Sequence, residues 1–129
     1  MPLPLIPNGS LCAVYGTLRA DMGNHRILAS SVRQEDGVIS GSFKMYSLGG
    51  FPMVITDQEP VDIVVEVYEV GDQSVAQSLD WLEGYPGFYD RKLVTLVDGR
   101  RCWVYYNDTY DHLGAEIPSG DWKVHCNNR

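Results

Sequence analysis

One stretch of this chain carries a sustained helical period, and it is punctuated at both ends. Val75, Leu79 and Leu82 recur at i, i+4 and i+7, Asp72 stands ahead of them as an N-cap, and Gly84 follows as a left-handed stop. The spacing predicts a helix that ends at Glu83. Most of the rest of the chain reads as extended backbone, so any core must be built from strands around one principal helix.

The strands are marked by period-two alternation and by glycine or proline breaks. Leu11 to Tyr15 is a short apolar run behind a Pro-Asn-Gly-Ser turn signal and reads as a buried first strand. Asn24 is placed to cap a brief helix through His25 to Leu28, after loop residues Asp21 to Gly23. Val38 to Tyr46 is extended but interrupted by Gly41, which marks a bulge, and Gly49, Gly50 and Pro52 force a loop before Met53 to Ile55. Val61, Ile63, Val65 and Val67 alternate with Asp62, Val64, Glu66 and Tyr68, the pattern of a strand with one buried face. Tyr89 to Val97 and Arg101 to Tyr106 form a hairpin, with Asp98-Gly99 expected as a two-residue type I′ turn. Asn107 to Glu116 reads as a loop or short helix, and Ser119 to Trp122 introduces a tail. A definite helix set between strands predicts an α+β domain with a closed or barrel-like sheet. We expect a single domain over residues 1–129, with residues 1–9 as an N-terminal extension.

Charge and cysteine usage narrow the function classes. A net charge of -7 repels phosphate backbones and anionic lipid surfaces, so neither nucleic acid nor a membrane is an expected partner. Cys12, Cys102 and Cys126 are odd in number and widely spaced, which argues for a reducing, cytoplasmic setting rather than a disulfide framework. Cys12 and Cys102 fall inside apolar strands, where a thiol acts as a small hydrophobe rather than a nucleophile. The opening residues lack a secretory pattern, the last four lack a prenylation pattern, and no run has membrane-spanning length. His25, His112 and His125 have no zinc-ligand spacing, so no metal is expected, and no phosphate-loop or dinucleotide motif is present.

Two features could carry chemistry. Glu83 at the helix C-terminus meets the negative end of the macrodipole, with Asp80 three residues back as a like charge and Tyr85, Phe88 and Tyr89 lowering the local dielectric. Each influence raises the pKa of a carboxyl group, as a general base working near neutrality requires. The alternative is a solvated carboxylate at a helix end. Tyr15-Gly16-Thr17-Leu18 leaves a buried strand through glycine, which exposes backbone N–H groups that can hold a carboxylate or an oxyanion. The alternative there is an ordinary turn.

Six short segments set these features in a recognisable order: Tyr15-Gly16-Thr17-Leu18-Arg19, Asn24-His25-Arg26-Ile27-Leu28, Tyr46 to Pro52, Leu79-Asp80-Trp81-Leu82-Glu83-Gly84-Tyr85 with Phe88 to Arg91, Val104-Tyr105-Tyr106, and Ile117 to Trp122. Together they resemble the gamma-glutamylcyclotransferase-like family, including its gamma-glutamylamine cyclotransferase branch. The resemblance implies a small mixed β-barrel with peripheral helices, no cofactor, and a small gamma-glutamyl compound as partner. It implies Glu83 as acid/base and the Tyr15, Gly16, Thr17 and Leu18 loop as the holder of the glutamyl group. Tyr89 joins Tyr15 as a candidate pocket wall or hydroxyl donor. Arg19 could pair with a carboxylate, but surface solvation is its expected role. The rival reading keeps the fold and a pocket for a small carboxylate or a protein segment, without turnover.

Overall fold

The computed structural model describes residues 5–20, 22–28 and 31–127. Seven strands form one sheet: β1 (Leu11–Val14), β2 (Val32–Arg33), β3 (Gly37–Ser47), β4 (Pro52–Thr56), β5 (Val61–Glu69), β6 (Asp90–Thr95) and β7 (Arg101–Tyr106). Their order is β4-β3-β5-β1-β7-β6, with β2 paired to the end of β5. Neighbours are antiparallel except β1 and β7, which run parallel and make the sheet mixed. The register of β3 on β5 shifts between Ile39 and Phe43, around Gly41 at φ 80°. That bulge bends β3 and helps the sheet curl until Asn107, just past β7, donates its N–H to Val54 of β4 at 3.2 Å. The result is a curled, partly closed mixed sheet with two helices, α1 (Gln73–Glu83) and α2 (Trp122–Asn127), and a 3₁₀ turn at His25–Leu28.

Both faces of this sheet are covered. Inside the curl lie Phe43, Met45, Val54, Ile63, Val65, Val67, Val104 and Trp122. On the other face Cys12, Val14, Met53, Tyr68 and Tyr105 cluster with Val75 and Leu79 of α1. This corrects the expectation that β5 buries one face: Glu66 and Tyr68 are buried as well as Val65 and Val67. Ile6, inside the stretch read as an extension, is fully buried in the α1-side core.

The helix α1 follows its sequence closely. Asp72 accepts a hydrogen bond from the Val75 N–H, and Gly84 takes the left-handed conformation (φ 64°, ψ 33°) that stops it. The hairpin differs in its turn. Leu96 N–H donates to Arg100 O at 2.7 Å and Gly99 N–H to Leu96 O at 2.9 Å, so Val97, Asp98 and Gly99 form a three-residue loop instead of a two-residue one. Asp98 decides this locally, accepting from both the Arg100 N–H (3.0 Å) and Arg100 Nε (2.9 Å). The tail after Gly120 folds into α2, which has no apolar period, and it is held by the burial of Trp122. Asn107 to Glu116 contains no helix, and Asp21 of the loop expected before the 3₁₀ turn lies outside the described residues.

Candidate active site

Where β1 ends, the chain turns under the C-terminus of α1, and a cavity of about 330 Å³ opens between them. Tyr15, Gly16, Thr17 and Leu18 line one side, Leu82 and Glu83 another, and Tyr89, Tyr105, Pro52, Phe51 and Phe88 complete the walls. The structure therefore brings all six sequence-derived candidates, Glu83, Tyr15, Gly16, Thr17, Leu18 and Tyr89, around one space.

Glu83 is part-buried, and its carboxylate accepts no hydrogen bond and makes no ion pair among the described residues. Burial pushes its pKa up from 4.5 to about 7. The carbonyls at the helix end and the neighbouring Asp80 are engaged by other partners. The carbonyls of Asp80 and Trp81 are capped by the Gly84 N–H, and the Glu83 carbonyl itself accepts from Tyr89 N–H at 3.2 Å. Three of the last four carbonyls of α1 thus have partners. Asp80 turns away, its Oδ1 accepting from Arg91 Nε at 3.0 Å and from the Tyr105 hydroxyl at 2.5 Å.

Opposite, the N–H groups of Gly16, Thr17 and Leu18 donate to nothing among the described residues. The turn that holds them is braced from behind. Asn24 N–H donates to Thr17 O at 2.9 Å and Asn24 Nδ2 to Thr17 Oγ1 at 3.0 Å, while His25 Nδ1 lies 2.9 Å from Leu18 O. Asn24 was expected as a helix cap; its side chain serves the turn instead. Gly16 has a steric reason, since a Cβ there would stand 2.8 Å from Pro52 Cγ.

The two tyrosines have their hydroxyl protons committed. Tyr15 donates to Tyr105 O at 2.8 Å and Tyr89 to Pro52 O at 3.3 Å, and burial above all raises both pKa values. They stand as walls, and their oxygens keep only acceptor capacity toward the cavity.

Two supporting clusters went unread in the sequence. Glu66 is 1% exposed and receives Ala20 N–H (2.7 Å), Arg19 Nε (3.0 Å), Tyr68 Oη (2.9 Å) and Lys123 Nζ (3.1 Å). Burial alone would raise its pKa, but these partners outweigh it and hold the carboxyl at about 2. Arg19, expected as a solvated cation, is buried and also pairs with Asp121 at 2.8 Å. The turn is thereby anchored at Arg19 and Ala20, just past its free amides. The one available signal was a glutamate interrupting the valines of β5. The second cluster clamps the end of α1: Arg91 binds Asp80 and lies over the rings of Tyr85 (4.2 Å) and Trp103 (5.1 Å). Cys12 and Cys102 are fully buried, and burial pushes both thiols up, Cys102 to about 11.

A part-buried carboxylate with a raised pKa and unpartnered backbone amides thus line one small cavity, set in a curled mixed sheet. Residues 12–124 match the family described as gamma-glutamyl cyclotransferase, AIG2-like, and the chain belongs to that family of gamma-glutamylcyclotransferase-type enzymes. A protein of Methanocaldococcus jannaschii provisionally named a gamma-glutamylcyclotransferase is 34% identical over 115 residues, covering 85% of this chain and 92% of that one. The gamma-glutamylaminecyclotransferase of Bos taurus is 29% identical over 121 residues, covering 81% of this chain and 70% of that protein. An uncharacterized protein of Pyrococcus horikoshii shares the fold with a TM-score of 0.75 at 24% identity, over 92% of this chain and 95% of its own. No helix among the described residues is long and apolar enough to cross a membrane.

Proposed function

We propose that this protein cyclises a gamma-glutamyl compound, releasing 5-oxoproline and an amine or amino acid, with Glu83 as the acid/base. The observation that supports the reading most is the pairing of an unpartnered, burial-raised carboxylate with unpartnered amides across one cavity. Both reacting atoms belong to one substrate molecule, so the cavity's task is to fold the glutamyl chain into an attack geometry and to stabilise charge.

In the reaction the α-ammonium gives a proton to the Glu83 carboxylate, and the freed amine attacks the γ-carbonyl carbon, forming the ring C–N bond. The tetrahedral oxyanion, or the substrate's α-carboxylate, lies against the N–H groups of Gly16, Thr17 and Leu18. Glu83 then delivers its proton to the departing nitrogen as the amide C–N bond breaks, and takes the second proton from the ring nitrogen. Two protons leave the nitrogen that becomes the ring amide, and two reach the amine, which departs as an ammonium ion. A carboxyl group with a pKa near the working pH suits both transfers.

Glu83→Gln preserves shape and removes the base. General-base catalysis contributes about 10²–10⁴-fold, so turnover measured as 5-oxoproline release should fall by that factor. Equal release by variant and parent removes Glu83 from the reaction.

A further inference from the structure

The start of α2 reaches the candidate site from the far end of the chain. Gly120 O accepts the Val64 N–H of β5 at 2.8 Å, and a Cβ on Gly120 would overlap the Asp62 carbonyl, so the backbone here is pressed directly against that strand. Trp122 is buried in the curl two residues on. Between these fixed points Asp121 has little freedom. Its Oδ1 caps α2 by accepting from the N–H groups of Lys123 (3.1 Å) and Val124 (3.3 Å), and it also receives Arg19 Nη1 at 2.8 Å, across 102 positions of sequence. We infer that Asp121 is a positioning residue for the amide turn, acting through Arg19, and that the C-terminal segment thereby belongs to the substrate-binding framework. The inference rests on the cyclotransferase reading and adds to it a residue that does not line the cavity.

Geometry and charge both carry it. Arg19 closes the turn, since its N–H donates to Gly16 O at 3.0 Å and leaves Thr17 and Leu18 as the two central residues. Its guanidinium forks, with Nε on Glu66 at 3.0 Å and Nη1 on Asp121, so two acceptors on separate elements, β5 and the start of α2, fix its plane. With Glu66 alone it would keep one contact and swing about it, and the turn it closes would lose its reference. The charges require the same partner. Arg19 and Lys123 both lie on Glu66, at 3.0 and 3.1 Å, and Arg33, 3.6 Å from Glu66, has its own carboxylate in Asp36. Asp121 supplies the second negative charge that lets both Arg19 and Lys123 stay paired; without it they would compete for one carboxylate.

Asp121→Ser separates this role from support of the fold. Serine is a good N-cap, so α2 should persist, but its hydroxyl is too short to reach Arg19. On whichever of a gamma-glutamyl amino acid and a gamma-glutamylamine the parent turns over, kcat/KM for 5-oxoproline release should drop about tenfold, a fraction of the cost of a full ~1 Å displacement. The pH midpoint of kcat/KM should not move, because the turn shifts and Glu83 does not. In an Arg19→Lys background, where a point charge replaces the fork, Asp121→Ser should add less than about twofold. If thermal unfolding shows the serine variant unfolded, Asp121→Asn, which keeps cap and shape but not charge, takes its place with an expected loss of at least about threefold. Unchanged kcat/KM, a displaced pH midpoint, or equal fold losses in the two backgrounds overturns the positioning role while leaving the cyclotransferase reading intact. Silence of the parent on both classes of gamma-glutamyl compound overturns that reading and the positioning role with it.

Discussion

Glu66→Gln should destabilise the protein substantially at neutral pH and hardly at all in acid. The substitution keeps side-chain volume and an oxygen for the Ala20 N–H and Tyr68 hydroxyl, but removes the charge that faces Arg19 at 3.0 Å and Lys123 at 3.1 Å. A carboxyl group held at about 2 instead of 4.5 binds its proton less readily in the folded chain than in the unfolded one. Its contribution is therefore fully present above 4.5 and is lost as pH falls through about 2. At ~1.4 kcal/mol per pKa unit the linkage is worth about 3 kcal/mol. For a chain of this size that corresponds to a loss of about 10 °C in Tm at pH 7. Urea titrations of parent and variant at pH 7, 5 and 3 measure it, and the gap should close across the acid range. A gap that stays constant from pH 7 to pH 3, or a Tm loss under about 3 °C, would show that the Glu66 charge does not hold this part of the fold together.

In the proposed reaction Glu83 acts first as a base with its pKa at about 7, so kcat/KM should rise with pH through that value and level off above it, and a profile flat from pH 5 to 9 would rule out its titration. Gly16→Ala places a Cβ 2.8 Å from Pro52 Cγ and should cost about 1–3 kcal/mol of stability, read by urea denaturation, together with a rise in KM as the amide turn shifts. Asp80→Ala takes from the buried Arg91 its two-oxygen partner and should lower stability by about 3 kcal/mol, seen in thermal unfolding.

What the sequence revealed was local, and what it concealed was set by distant contacts. Asp72, the Val75-Leu79-Leu82 period and Gly84 determine α1 through residues that touch one another along the chain, and the bulge at Gly41 is legible for the same reason. Glu83, Tyr89 and the Tyr15 to Leu18 turn were legible as an ordered set of motifs, although nothing in their spacing places them around one cavity. The misread residues depend on partners tens of positions away. Arg19 is buried because Glu66 and Asp121 meet it, and Asp80 leaves Glu83 alone because Arg91 and Tyr105 take its oxygens. The two-residue turn failed because the Asp98 side chain organises a longer loop, and α2 was missed because the burial of Trp122, not a helical period, makes it.

Three carboxylates near the cavity start from the same chemistry and end in different states because of what surrounds each one. Glu66 is fully buried, yet four donors saturate it and drive its pKa down, so it serves as an anchor for the turn that carries the free amides. Asp80 is satisfied by Arg91 and Tyr105, which fix the last turn of α1 against β6 and β7. Glu83, one turn further on, receives no such donor, and its burial raises its pKa. Had a cation stood beside Glu83, its pKa would be low and its charge stabilised, making it a poor proton acceptor near neutrality. Burial without a partner leaves the carboxylate less stable than it would be in water, an imbalance that binding a substrate ammonium would relieve. The two satisfied carboxylates hold the backbone that keeps the third in this position, which is why the proposed chemistry falls to Glu83 while Glu66 and Asp80 act as anchors.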